Sequence, residues 1–374
     1  MNSLQHELSN LKVETPSWGY ADSGTRFGIF AYPGAAKTLY EKLEDAAEVH
    51  RFTGSAPLVA IHIPWDKCDD YSEALKYAND LGIGIGALNP NLFQDPEYKF
   101  GSLGASDSAR TKAEDHIDDC IGIMRKVGSK TLSLWFADGT NFPGQGDFRT
   151  RFQRFEESLA RIHGKLANDE TMLIEYKPFE PAFYSTDIPD WGTALLLAKK
   201  SGDNAKVLVD LGHHFHGQNI EQIVAILQYE KKLGGFHFNG RKYADDDLTT
   251  GSINPYELFL IMIEIVKGGS PLPAFMVDEM HSLKNKVGEM IQSLVEIQTA
   301  YLKALLVDFD LLSKLQAEED LIRCEEVLKD AFQMDVREAL TEFRASKGCP
   351  SPENPVDGFL SSGYSERVAN MRSN

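Results

Sequence analysis

Between Val207 and Asp247 the chain crowds side chains that bind metal ions. The apolar run Val207-Leu-Val leads into Asp210-Leu-Gly-His213-His214-Phe-His216, and a carboxylate with three histidines in so short a stretch needs partners if any of it leaves water. Asp210 closes a β-like run and His213 follows where the backbone turns over the strand's end, so the two can converge on one hard or borderline cation. Downstream, Gly235-Phe-His237-Phe-Asn-Gly reads as a second strand end carrying a histidine. Asp245-Asp246-Asp247 follows, and carboxylates at i and i+2 can chelate one ion from a loop. An Asp-rich loop by itself is most often a solvated turn. Together, the pieces point to a metal site.

The elements that must position these groups alternate in type along the chain. Phe27-Gly-Ile-Phe-Ala-Tyr reads as a first strand, and runs beginning at Leu58, Gly82, Thr131, Met172, Val207, Phe236 and Ala274 read as seven more. Each is followed by apolar residues at helical spacing, the last such stretch running from Lys284 to Leu302. Eight strands alternating with eight helices predict an α/β fold, a (β/α)8 TIM barrel, whose parallel strands are apolar because both faces are covered. The expected organisation is a polar N-terminal loop or arm over residues 1–26, a catalytic barrel over 27–304, and a C-terminal extension over 305–374. That extension is helical to about Ala345 and ends in a Gly/Pro/Ser-rich polar tail.

Composition removes several classes of function. A length of 374 residues with 42% hydrophobic content supports one large core. The net charge of -18 argues against nucleic acid or anionic membrane as a partner, because both require a basic face. Cys68, Cys120, Cys324 and Cys349 show no CxxC spacing, so neither a zinc knuckle nor a disulfide framework is indicated. The N-terminus lacks a basic-then-apolar leader, and Leu258-Phe-Leu-Ile-Met-Ile is too short to span a bilayer. A soluble cytoplasmic protein is expected.

In a barrel of this kind active sites form at the C-terminal ends of the strands. There the chain places His62, Trp135 and Asp138, Glu175 and Lys177, Asp210 and His213, His237, Asp245 and Asp247, and Asp278. So many carboxylates in one mouth would repel and protonate unless cations hold them. The stretches Ile61-His62-Ile-Pro-Trp65-Asp66, Trp135-Phe-Ala-Asp138, Glu175-Tyr-Lys177-Pro, Asp210-Leu-Gly-His213, Phe236-His237-Phe-Asn, Asp245-Asp-Asp247 and Met276-Val-Asp278 resemble the metal-dependent aldose-ketose isomerases of the xylose isomerase-like barrels. Within them they are most similar to the L-rhamnose isomerase family.

That resemblance, which runs from about Phe27 to His281, implies two divalent ions per subunit. Glu175, Asp210, His237 and Asp278 would hold a structural ion. Asp210, His213, Asp245 and Asp247 would hold a catalytic one. Oxygen-rich ligation with one imidazole per site favours Mn²⁺, with Co²⁺ and Mg²⁺ as alternatives, and no organic cofactor is required. The resemblance further implies conversion of L-rhamnose to L-rhamnulose by a metal-assisted 1,2-hydride shift. Lys177, Asp245 and Asp247 would act as catalytic groups, His62 would help to open the sugar ring, and Trp135, Trp18 and Phe27 would offer apolar faces to it. It also implies a homo-oligomer, tetramer or dimer, in which the aromatic loop over residues 18–27 completes a neighbouring subunit's site. His214, His216 and His281 are expected to play supporting roles, Asp246 to point to solvent, and Asp138 and Glu180 to be structural.

Other readings remain open from sequence alone. The aldose could be L-ribose, L-mannose, L-lyxose or D-allose, because a pocket of few aromatics discriminates hydroxyl configurations modestly. A dinuclear metal phosphoesterase or endonuclease on the same barrel would need more histidine and a basic rim for the phosphate. A barrel that only binds would have no use for Lys177 beside a full ligand set.

Overall fold

The computed structural model describes residues 3–25, 28–179 and 185–372. Eight parallel strands close into a barrel: β1 (Val13–Pro16), β2 (Leu58–Ile63), β3 (Gly84–Pro90), β4 (Thr131–Leu134), β5 (Thr171–Glu175), β6 (Ala205–Asp210), β7 (Leu233–Phe238) and β8 (Ala274–Val277). Strand β1 closes the ring, pairing Val13 with Phe275 on one side and Glu14 with Leu58 on the other.

After α1 (Ser3–Asn10), the helices α2 (Leu39–Thr53), α3 (Tyr71–Asp80), α4 (Asp107–Lys126), α5 (Phe148–His163), α6 (Trp191–Ser201), α7 (Ile220–Tyr229), α8 (Pro255–Gly268) and α9 (Lys286–Leu305) surround it. Each of α2–α9 starts on a Thr, Asp, Ser or Asn whose side chain accepts a backbone N–H of the first turn. These caps satisfy otherwise orphaned donors and fix where every loop ends. Among the described residues no helix is long and apolar enough to cross a membrane.

Successive side chains of a strand face opposite ways. Val59, Ile61, Val207, Val209, Phe236 and Phe238 face the helices and join one large buried core, each contributing about 1.5–3 kcal/mol on leaving water. The residues between them face the lumen, where Ala60, Ala87 and Met276 form a separate small cluster with Trp18 packed against it. The polar groups sit above that plug.

The start of the barrel departs from the sequence expectation. Its first strand is Val13–Pro16, inside the segment expected to be a loop, while Gly28–Phe30 pairs antiparallel with Ser23–Thr25 in a two-stranded sheet outside the barrel. Val-Glu-Thr-Pro carries no apolar run because Glu14 points into the lumen, where its carboxylate accepts a 2.8 Å hydrogen bond from the Ala87 N–H. The barrel therefore begins near residue 13 rather than 27.

The C-terminal tail departs too. Beyond α10 (Phe309–Ala317), α11 (Leu321–Gln333) and α12 (Arg337–Ser346), it forms α13 (Pro355–Leu360) and α14 (Tyr364–Arg372). Phe359 packs edge-on against Phe52, and the buried Arg372 guanidinium meets the buried Asp45 carboxylate at 2.8 Å. A polar composition hid an anchored segment.

Candidate active site and metal centre

Four strand ends deliver one cluster. Glu175 ends β5, Asp210 ends β6, His237 lies on β7 and Asp278 follows β8, and each offers a ligand atom within 4.8 Å of the others. His237 Nδ1 is 3.1 Å from Glu175 Oε1 and 3.5 Å from both Asp210 Oδ2 and Asp278 Oδ2. A second group joins Asp210 to His213 and Asp245, with His213 Nε2 3.5 Å from Asp245 Oδ2 and 4.0 Å from Asp210 Oδ2. Asp210 belongs to both.

The orientation of these atoms follows from local sequence. Asp210 Oδ1 accepts hydrogen bonds from the Gly212 N–H at 2.7 Å and from Asn239 Nδ2 at 3.0 Å. Its Oδ2, buried and facing the cluster, receives none. A Cβ on Gly212 would strike the Asp245 carboxylate, so the glycine of Asp-Leu-Gly-His is what lets the later loop approach. His213 Nδ1 lies 2.9 Å from the Tyr176 carbonyl, which fixes the ring with Nε2 directed at the carboxylates, the arrangement a ligating imidazole needs.

Asp247 lines the same cavity but is not among the atoms of the second group. Its φ of 47° is left-handed, a conformation that costs a non-glycine residue energy and clusters at functional sites. Asp246, expected in solvent, instead turns back on its own loop and accepts the Lys242 and Tyr243 N–H groups at 2.6 Å each.

The charges behave as a cation-binding cluster should. Burial opposes ionisation of Asp245, yet His213 and Lys177 hold its carboxyl well below the usual range. Burial, with Asp245, Asp278 and Asp210 around it, drives Asp247 well above that range. Asp278 is pushed up to about 6, chiefly by burial. Burial disfavours a charged His237, but Glu175, Asp210 and Asp278 outweigh it and raise its pKa well above the ordinary value. His213 is likewise raised to about 9, where Asp210 and Asp245 overcome burial. Protons thus balance the carboxylates, and a divalent ion can replace them. The unpartnered Asp210 Oδ2, between two donor groups rich in oxygen, fits such an ion.

Above the cluster lies a cavity of about 240 Å³. Lys177 reaches it from the loop after β5, its Nζ 2.7 Å from Asp245 Oδ2 and 5.2 Å from the Trp135 ring centre. His62, at the end of β2, is kept neutral by burial, its pKa lowered to about 3. Trp18 lines the cavity of its own chain, and its ring meets His62 edge-on at 5.6 Å. Phe27 and Glu180 lie outside the described residues.

Two aromatic residues of the wall, Trp65 and Phe93, have no role in the sequence reading. Trp65 stacks on His62 at 4.0 Å, and Phe93 meets Trp135 edge-on at 4.9 Å. Trp65 stood within a quoted stretch, two residues beyond strand β2, and that position was its signal. Phe93 follows a loop without periodicity and had none.

Of the histidines expected to support the site, His214 and His281 are paired with other side chains, whereas His216 is exposed. His214 Nε2 is 2.6 Å from the Tyr176 hydroxyl, and His281 is paired with Glu289 at 2.9 Å. Asp138 accepts the Ser102 hydroxyl at 2.7 Å and the Gly104 N–H at 2.8 Å.

Residues 45–265, more than half of the chain, match the family described as the xylose isomerase-like TIM barrel; the chain belongs to that family. Along its whole length it is 42% identical to a probable sugar isomerase of Rhizobium meliloti, covering 89% of that protein. A probable sugar isomerase of Mesorhizobium japonicum is 40% identical, with 88% of it covered. Among solved structures, an L-ribulose 3-epimerase superimposes with a TM-score of 0.59 over 79% of this chain and 98% of its own, at 16% identity. That likeness concerns the fold.

Proposed function

We propose that the protein is a metal-dependent aldose-ketose isomerase, with L-rhamnose to L-rhamnulose as its first candidate reaction. One observation carries the reading: two donor groups share Asp210 beneath a small aromatic-walled cavity into which Lys177 projects. The two relatives named probable sugar isomerases support the class, and the resemblance of the strand-end stretches to L-rhamnose isomerases supports the sugar. A cavity of about 240 Å³ is smaller than pockets for drug-sized ligands and suits a monosaccharide.

The conversion moves a hydrogen between C1 and C2 and a proton between O1 and O2. Divalent ions, Mn²⁺ by preference, would be held by Glu175, Asp210, His237 and Asp278 and by Asp210, His213, Asp245 and Asp247, and would supply Lewis acidity at the sugar oxygens. The neutral His62 imidazole relays the anomeric proton from O1 to O5 as the C1–O5 bond breaks and the ring opens. Lys177 donates to O1 and stabilises negative charge there. Asp247, which lines the cavity among Asp245, Asp278 and Asp210, serves the exchange between O2 and O1. Trp135, Trp65 and Phe93 cover the sugar's C–H surface and exclude water. No organic cofactor enters this scheme. Homo-oligomerisation, as a tetramer or dimer, belongs to the same reading, and light scattering that found a monomer would remove it.

A panel of L-rhamnose, L-mannose, L-lyxose, L-ribose and D-allose, assayed for ketose after EDTA treatment and after return of Mn²⁺ or Co²⁺, tests the proposal. Turnover should require metal and favour L-rhamnose. Failure on every aldose with metal restored rejects the isomerase; activity without metal rejects the chemistry.

A further inference from the structure

We infer that Trp18 is a positioning residue for the metal centre, acting through Asp278, in addition to forming part of the sugar cavity. This rests on the metal-centre part of the reading above. The Trp18 indole N–H donates a 2.8 Å hydrogen bond to Asp278 Oδ1. The other oxygen, Oδ2, is the one that faces His237 Nδ1 at 3.5 Å. One oxygen is thus held from outside while the other is presented to the ion, the same division seen at Asp210, where Gly212 and Asn239 hold Oδ1 and leave Oδ2 free.

Asp278 needs such a partner more than its neighbours do. Its side chain is 25% exposed, against 1% for Asp210 and 5% for Glu175, so packing restrains its rotation least. The indole, in contrast, is well seated. Trp18 lies in a 3₁₀ turn (Ser17–Tyr20) directly after β1, its ring rests on the lumen cluster of Ala60, Ala87 and Met276, and it meets His62 edge-on. Because β1 pairs with β8, whose end carries Asp278, the strand that closes the barrel also delivers the donor. Partners that orient a metal ligand typically contribute 10–100-fold to metal affinity.

Trp18→Phe keeps an aromatic ring over the lumen cluster and removes the N–H together with the five-membered ring that carries it. Mn²⁺ titrated calorimetrically into EDTA-treated, dialysed protein should bind about 10–100-fold more weakly to this variant. Asp278→Ala should weaken binding at least as much, and Trp18→Phe added to it should cause no further loss, because Ala leaves the indole N–H no side-chain acceptor. Wild-type affinity in Trp18→Phe, or losses that add in the double variant, would overturn the inference. Wild-type protein that binds no divalent ion would overturn the metal centre and this role with it. Protein that shows the expected titrations yet converts no aldose would leave the role of Trp18 standing and remove only the isomerase.

Discussion

Asp210 serves two donor groups because its two oxygens are divided: Oδ1 accepts from the Gly212 backbone N–H and the Asn239 side-chain amide, and Oδ2 is left to both groups. Under the proposed function, Asp247 and Glu175 divide by role. Asp247→Asn should lower kcat by about 10²–10⁴-fold, the usual worth of a general acid-base group, with the melting temperature unchanged. Glu175→Gln should lower the melting temperature in saturating Mn²⁺ by the equivalent of about 3–4 kcal/mol, the stabilisation an ion gives at a hundred- to thousandfold excess over its Kd. Equal stability losses in the two variants would contradict the division. Glu175 and Asp210 were legible because each closes an apolar run, where a charged side chain is conspicuous, and Asp247 through its i, i+2 spacing from Asp245 in an Asp-rich loop. Trp65, Phe93 and the hydrogen bond of Trp18 were not, since an aromatic residue beside a strand reads equally well as core.

At the scale of elements, β1 and α14 were the least legible parts. A barrel strand announces itself by apolar residues on both faces, and β1 breaks that rule with a lumenal carboxylic acid; its four residues are recognisable only through the pairing with β2 and β8. Burial raises the Glu14 pKa from 4.5 to about 7 despite the Ala87 N–H. The folded state therefore binds this proton more tightly than the unfolded chain does. Its stabilising contribution is complete below about pH 4.5 and is lost as pH rises through about 7. Glu14→Gln mimics the protonated form, so in EDTA the variant should gain on wild type as pH rises from about 4.5 to about 7, by on the order of 3 kcal/mol at most. Parallel melting curves across that range would refute it. At α14, Arg372→Met strands a buried Asp45 and should cost about 3–5 kcal/mol in chemical denaturation, while KM for the sugar stays put. A loss within error would mean that the tail does not anchor the barrel.

For the whole molecule, periodicity made the eight-fold alternation and the outer helices legible, since caps and apolar spacing are local properties. Strand order, closure and the lumen are not local, and the geometry that lets Asp210 serve two groups arises only when β5, β6, β7 and β8 lie side by side. The family's fold is shared with an L-ribulose 3-epimerase, so fold alone does not choose the reaction. Fate of the C2 hydrogen does. L-Rhamnose deuterated at C2, incubated in ordinary water with Mn²⁺-loaded protein and followed by NMR, should yield L-rhamnulose that keeps the deuterium on C1. A ketose with protium in its place, the signature of proton removal and exchange with solvent, or no ketose at all, would contradict the hydride-shift isomerase.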